Sequence, residues 1–133
     1  MKPQTASFLA ADDKALSDAR TIQTVNVPHQ AARLAYYAQF HVAQALIFER
    51  ADKIAKTHKG VSKEFHRLAK TETTFPPGLA TQLTEAYAYK EHADYDTDFA
   101  EPITLPVAGD AIDTAERFVA IVRQALAQPP AIT

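Results

Sequence analysis

Residues 31–48 read AARLAYYAQFHVAQALIF. Only Arg33, Gln39, His41 and Gln44 are strongly polar, with the hydroxyls of Tyr36 and Tyr37 added, and no Gly or Pro interrupts the run. Alanine and leucine give it good helix propensity. A helix that is apolar nearly all round is buried on most sides. Eighteen residues is borderline for a membrane span, but polar groups are spread along the run and the chain has no second one like it. The stretch therefore reads as the central helix of a helical bundle, with His41 facing something polar inside.

Working outward, Pro28 suits the first turn of this helix, where a missing N–H costs nothing, and the helix is expected to run to about Ala51. Before it, Phe8, Ala11, Ala15, Ala19 and Ile22 recur at three and four, while Asp12, Asp13, Asp18 and Arg20 fall off the stripe. This predicts an amphipathic helix over about 7–22, capped by Ser7, after a frayed 1–6. After the central helix, Thr57 is a candidate N-cap for a short helix over about 59–70 that turns Val61, Phe65 and Leu68 inward. Phe75-Pro76-Pro77-Gly78 signals a turn. A further helix over about 78–95 carries Leu79, Leu83, Ala86 and Tyr87 on one stripe. Helical spacing continues that stripe to Lys90 and Asp94, so polar groups replace apolar ones near its end. Residues 96–105 contain Pro102 and read as loop. A last helix over about 107–127 lines its inner face with Ala108, Ala111, Ala115, Phe118, Val122 and Leu126, and Pro129-Pro130 ends it. The expectation is an all-α, up-and-down four-helix bundle with an additional short helix, in one domain with its core at about 7–127.

The chain has 133 residues, no cysteine and a formal net charge of −2. That is enough chain for a real core without staples, and disulfides and thiolate metal sites are excluded. The start, MKPQTASFLAADDKAL, lacks a secretory apolar core, so the expectation is a cytoplasmic protein with no membrane contact. The mean charge hides two segments. Residues 50–70 hold seven Lys and Arg against Asp52 and Glu64, whereas 91–101 hold five carboxylates and no Lys or Arg. Charge runs of this kind are often solvated surfaces that attract each other or a second copy. They are also the footprint of a phosphate-binding face.

Two constellations offer chemistry. Arg33, Tyr37 and His41 are spaced by four on the central helix and form a candidate polar ladder; His41 is either a core histidine satisfied by a partner or a general base in a cleft. Lys90, Glu91, His92, Asp94 and Tyr95 crowd one helix end, where they either hold a phosphate or form a charged solvent face. His92 with Asp94, Asp96 and Asp98 does not share one helical face, so no metal is expected. Phosphate-cradling glycine loops, zinc-protease histidine pairs and nucleophile elbows are absent.

The block Arg33-Leu34-Ala35-Tyr36-Tyr37-Ala38-Gln39-Phe40-His41, the turn Lys56-Thr57-His58-Lys59-Gly60-Val61 and Ala93-Asp94-Tyr95-Asp96 resemble the HEPN family, in particular its small stand-alone prokaryotic members. The resemblance spans about residues 7–126. It implies a four- or five-helix bundle, usually a homodimer, that binds RNA or nucleotide. It also implies a place in a toxin–antitoxin or defence system beside a minimal nucleotidyltransferase partner, with no cofactor. Catalytic members carry Arg, then four to six residues, then His. No arginine of this chain is followed by histidine at that spacing; Lys90 stands where the arginine would, and Tyr95 where the histidine would. The ordinary ribonuclease site is therefore expected to be absent.

Three readings follow. The first is an RNA- or nucleotide-binding protein using Arg33, Tyr37, His58, Lys59, Lys63, Asp94 and Tyr95, with the basic segment from Arg50 to Lys70 meeting phosphates. The second is a metal-independent endoribonuclease with a non-standard site, His41 or His92 as base and Lys90 stabilising the phosphorane. The third is a dimeric helical module that binds a partner protein.

Overall fold

The computed structural model describes residues 1–95 and 103–128, with Tyr95 described in its backbone only. Five helices follow one another: α1 (Pro3–Thr24), α2 (Pro28–Ala51), α3 (His58–Ala69), α4 (Leu79–Tyr95) and α5 (Leu105–Leu126). The all-α bundle with one short helix is as expected. The central helix matches its expected bounds of Pro28 and Ala51. It packs against every other helix, and thirteen of its residues are buried, from Ala31 to Ile47. Its apolar sides are divided between two clusters. One gathers Tyr36, Phe40, Leu46, Phe65, Leu83 and Phe118, among others. The other is rich in alanine and includes Ala31, Ala32 and Ala35 of α2 with Ala108, Ile112 and Ala115 of α5.

Four expectations about α1 are corrected. The helix begins at Pro3, and Lys2 occupies the N-cap position. Ser7 does not cap; its hydroxyl donates to the Pro3 carbonyl inside the first turn. Residues 1–6 are not frayed, because the end of α2 holds them: the Lys2 backbone N–H and the Thr5 hydroxyl both donate to Glu49 Oε1, at 3.0 and 2.9 Å. Asp12, placed off the apolar stripe, is in fact fully buried. Arg123 of α5 reaches it, donating from Nε to Oδ2 at 3.1 Å.

The other boundaries have local causes. Thr57 caps α3 as expected, accepting from the Gly60 N–H at 3.0 Å. A Cβ on Gly60 would sit 3.1 Å from the Thr57 hydroxyl oxygen, so the glycine leaves room for the cap. Val61, Phe65 and Leu68 point into the core. Gly78, at φ +82°, makes the left-handed turn ahead of α4. The last helix starts at Leu105 rather than about residue 107, because Thr104 accepts from the Val107 N–H and Pro106 fits the first turn. The expected loop at 96–102 and the stop at Pro129-Pro130 lie outside the described residues. Among the described residues, no helix is long and apolar enough to cross a membrane.

Candidate functional site

The polar end of the α4 stripe meets the polar side of α2. Arg33 Nε donates to Asp94 Oδ1 at 2.6 Å, and Lys90 Nζ lies 2.7 Å from Asp94 Oδ2. One carboxylate thus spans two cations on two helices, one on each oxygen. The side chains of Arg33, Lys90 and Asp94 keep 31, 18 and 20% of their surface in solvent. Gln30, one turn before Arg33, accepts from its guanidinium. Burial raises the Asp94 carboxyl, but the hydrogen bonds from Lys90 and Arg33 outweigh it and leave its pKa below the usual value. The bond to Asp94 holds the Lys90 ammonium above its usual value, against burial.

Beside this cluster stands an aromatic stack. The His58 ring lies parallel to the Tyr87 ring, with centroids 3.7 Å apart and 15° between planes. Tyr36 meets His58 Nδ1 with its hydroxyl at 2.9 Å. The Tyr87 hydroxyl donates to Glu91 Oε1, and Lys90 Nζ sits 5.6 Å from the Tyr87 ring centroid. Burial pushes the Tyr36 phenol well above its usual value and the His58 imidazole below its own. Tyr36 therefore stays protonated, and it shares with His58 Nδ1 one hydrogen bond whose donor is set by the His58 tautomer. Glu91 Oε2 is buried without a hydrogen-bond partner.

His41 is one step further along α2. Its ring stacks on Tyr37, with centroids 6.2 Å apart and 26° between planes. Its Nδ1 meets Gln44 Oε1 at 2.9 Å, and Gln44 Nε2 donates to the Ala55 carbonyl at 2.8 Å. The second bond orients the amide, so Gln44 presents an acceptor and His41 carries its proton on Nδ1.

The structure brings Arg33, Lys90 and Asp94 together, sets His58 against Tyr87 beside them, and joins Tyr37 to His41 by stacking. The proposed ladder through Arg33, Tyr37 and His41 is not continuous, because Arg33 turns to Asp94. His92 follows Lys90 by two residues, about 200° round the helix, and is half-buried. The Tyr95 side chain lies outside the described residues. Lys59 and Lys63 are exposed on α3. With Arg67 and Lys70 they recur at four, four and three, which is one helical face. The basic segment needs one correction. Arg50 belongs to the interior: it pairs with Glu72 at 2.8 Å, with side chains 7 and 9% exposed, and donates to the Ala125 carbonyl at 2.7 Å. It cannot meet a phosphate without unpacking the end of α5.

Sequence reasoning placed Glu91 in the charged helix end but did not assign Tyr36 or Tyr87 to the site. The available signal was Tyr87 four residues before Glu91, on the face that carries Lys90 and Asp94.

On the other side of Tyr36 a cavity of about 190 Å³ opens between α2, α4 and α5. Ala32, Ala35 and Ala111 keep it open, and among the described residues its only ionisable acids and bases other than tyrosine are Glu85 and Asp110. With two carboxylates and no cation, it disfavours phosphate, which leaves the Arg33–Lys90 side as the anion-compatible one.

A family model described as the HEPN domain matches residues 11–125. No curated protein matches the chain.

Proposed function

This chain belongs to the HEPN domain family, and from that membership we propose that it is an RNA- or nucleotide-binding protein without the ordinary ribonuclease chemistry of the family. The observation that carries this reading is the basic face formed by Lys59, Lys63 and Arg67 of α3 with Lys70 at its C-cap, where Glu64 pairs with Arg67 alone of the four, close in sequence to His58, whose ring is stacked in the α2–α4 aromatic cluster. Exposed cations on one face supply phosphate attraction. Tyr37 and the His58–Tyr87 stack supply flat rings beside it, the kind of surface on which unpaired bases stack. The arginine–histidine pair that catalytic members use has no counterpart of the same residue types here: Lys90 is engaged by Asp94, and His58 Nδ1 is engaged by Tyr36. Homodimerisation and a nucleotidyltransferase partner, in a toxin–antitoxin or defence setting, belong to this reading as the context in which a binding module of this family works.

A second reading is favoured by one specific observation. The bond from His41 Nδ1 to Gln44 leaves His41 Nε2 as the open, basic nitrogen, so His41 has the tautomer a general base needs. One experiment separates the two. Single-stranded RNA and total tRNA are incubated in EDTA with the parent protein, His41→Ala and His92→Ala, while binding of the same RNA is followed by fluorescence anisotropy. The proposed function expects binding with no cleavage by any protein. Cleavage that vanishes in His41→Ala or His92→Ala establishes the nuclease instead. Absence of both binding and cleavage by a folded protein overturns both readings and leaves a protein-interaction module.

A further inference from the structure

Asp94 sits between Arg33 and Lys90 as a ligand would. Its two carboxylate oxygens are shared out, Oδ1 to Arg33 Nε at 2.6 Å and Oδ2 to Lys90 Nζ at 2.7 Å. The two non-bridging oxygens of a phosphodiester present the same fork with the same single negative charge. The cations come from different helices, α2 and α4, so the carboxylate is not an incidental neighbour of one side chain. All three groups retain contact with solvent, which lets an incoming anion reach them without opening the core. Guanidinium and ammonium together carry two positive charges, and Asp94 cancels one of them.

We propose that Arg33 and Lys90 form a phosphate subsite that Asp94 occupies in the free protein and vacates when a phosphate binds. The inference rests on the RNA- or nucleotide-binding reading and assigns that site its own competitor. A phosphodiester replaces Asp94 one charge for one. A doubly charged terminal phosphate matches the two cations, but Asp94, displaced yet still on α4, and Glu91, whose charge acts on Lys90, then repel its second charge. The expected ligand is therefore the internal phosphate of a polynucleotide, in preference to a free nucleotide.

The opposite role for Asp94 is equally concrete and predicts the opposite sign. If the carboxylate only positions Arg33 and Lys90 for an incoming ligand, removing it loosens them and weakens binding. The experiment compares the parent protein, Asp94→Asn and Asp94→Ala, each also in an Arg33→Gln/Lys90→Gln background. A fluorescent single-stranded RNA and, separately, ATP in EDTA are the probes, and thermal melts check that each protein is folded. The subsite predicts that both Asp94 variants bind the RNA about tenfold more tightly at low salt, from release of two partly exposed ion pairs. It also predicts that the gain disappears in the Arg33→Gln/Lys90→Gln background and is smaller for ATP. Weaker or unchanged RNA binding in folded Asp94 variants overturns the inference and leaves the binding function standing. A gain that survives loss of both cations reflects general charge and overturns it too. A gain larger for ATP than for RNA assigns the subsite to free nucleotide and overturns the polynucleotide assignment. No RNA or ATP binding by any folded protein removes the inference together with the function beneath it.

Discussion

Replacing Lys59 and Lys63 together by glutamine tests the basic face where it is most exposed. Lys59, Lys63, Arg67 and Lys70 share that face, and of these only Arg67 makes an ion pair with a described residue, Glu64. On single-stranded RNA each neutralised phosphate adds about 0.7 to the negative slope of log affinity against log salt. Four such contacts give a slope of about −2.8, so raising salt from about 50 to about 200 mM weakens binding about 50-fold. With two contacts left, the slope is about −1.4 and the same salt step costs only about sevenfold. Neither lysine touches the core, so stability should stay within about 0.5 kcal/mol of the parent. The assay is fluorescence anisotropy with labelled single-stranded RNAs of unrelated sequence, repeated across the salt range. Phosphate contacts carry no sequence information, so the loss should be similar for every RNA. An identical slope for parent and variant would refute the placement of phosphates on this face. A sequence-dependent loss would refute the claim that these lysines contact backbone alone.

Three further substitutions test the framework around the site. Tyr36→Phe removes the hydroxyl hydrogen-bonded to His58 Nδ1 and should cost about 1 kcal/mol; in an NMR titration a rise in the His58 pKa identifies the hydroxyl as the donor and a fall identifies it as the acceptor. Arg50→Ala strands Glu72 in a nearly dry site and frees the Ala125 carbonyl, so urea melts should show a loss of about 3–5 kcal/mol. Asp12 is raised from 3.8 to about 6, chiefly by burial. The folded protein then binds that proton more tightly than the unfolded chain, and the residue's contribution to stability, full below about pH 4, is lost as pH rises through 6. Asp12→Asn should therefore gain on the parent between pH 4 and pH 7, by up to about 3 kcal/mol. Urea midpoints across that range check the sign, and a variant that loses ground as pH rises would mean that the Arg123 pairing outweighs burial.

What could be read in advance follows from how local each cause is. The bounds of α2 are written in its own residues, from Pro28 at the start to the end of its apolar run. The Thr57 cap is likewise settled within four residues, down to the glycine that makes room for it. The replacement of apolar by polar residues at Lys90 and Asp94 marked the site on α4 before any contact was known. Asp12 and Arg50 were misplaced for one shared reason: a charged side chain is scored as exposed unless its partner is visible, and the partners are far away in the chain. Arg123 is 111 residues from Asp12, and the Ala125 carbonyl is 75 from Arg50. The start of α1 depends in the same way on Glu49. The Tyr36–His58–Tyr87 arrangement joins three helices, so no spacing within one element announces it.

The tautomers of the two histidines bear on whether this site binds or cuts. Cleavage of RNA without a metal needs a group that takes a proton from the 2′-hydroxyl and a cation that steadies the charge building on phosphorus. His58 is linked to Lys90 through the aromatic stack, but its Nδ1 is engaged by Tyr36. Burial pushes its pKa down, toward the neutral ring. That nitrogen is available to the reaction only when Tyr36 lets go. His41 has the open lone pair but no described contact with Lys90, and Tyr37 is the ring stacked on it. Among the described residues, the free base therefore lies against Tyr37 and the cation against Tyr87. Lys90 is in turn held by a carboxylate rather than left open toward phosphorus. A base apart from the cation, and a cation held by a carboxylate, are what the proposed binding function expects and a metal-independent nuclease does not.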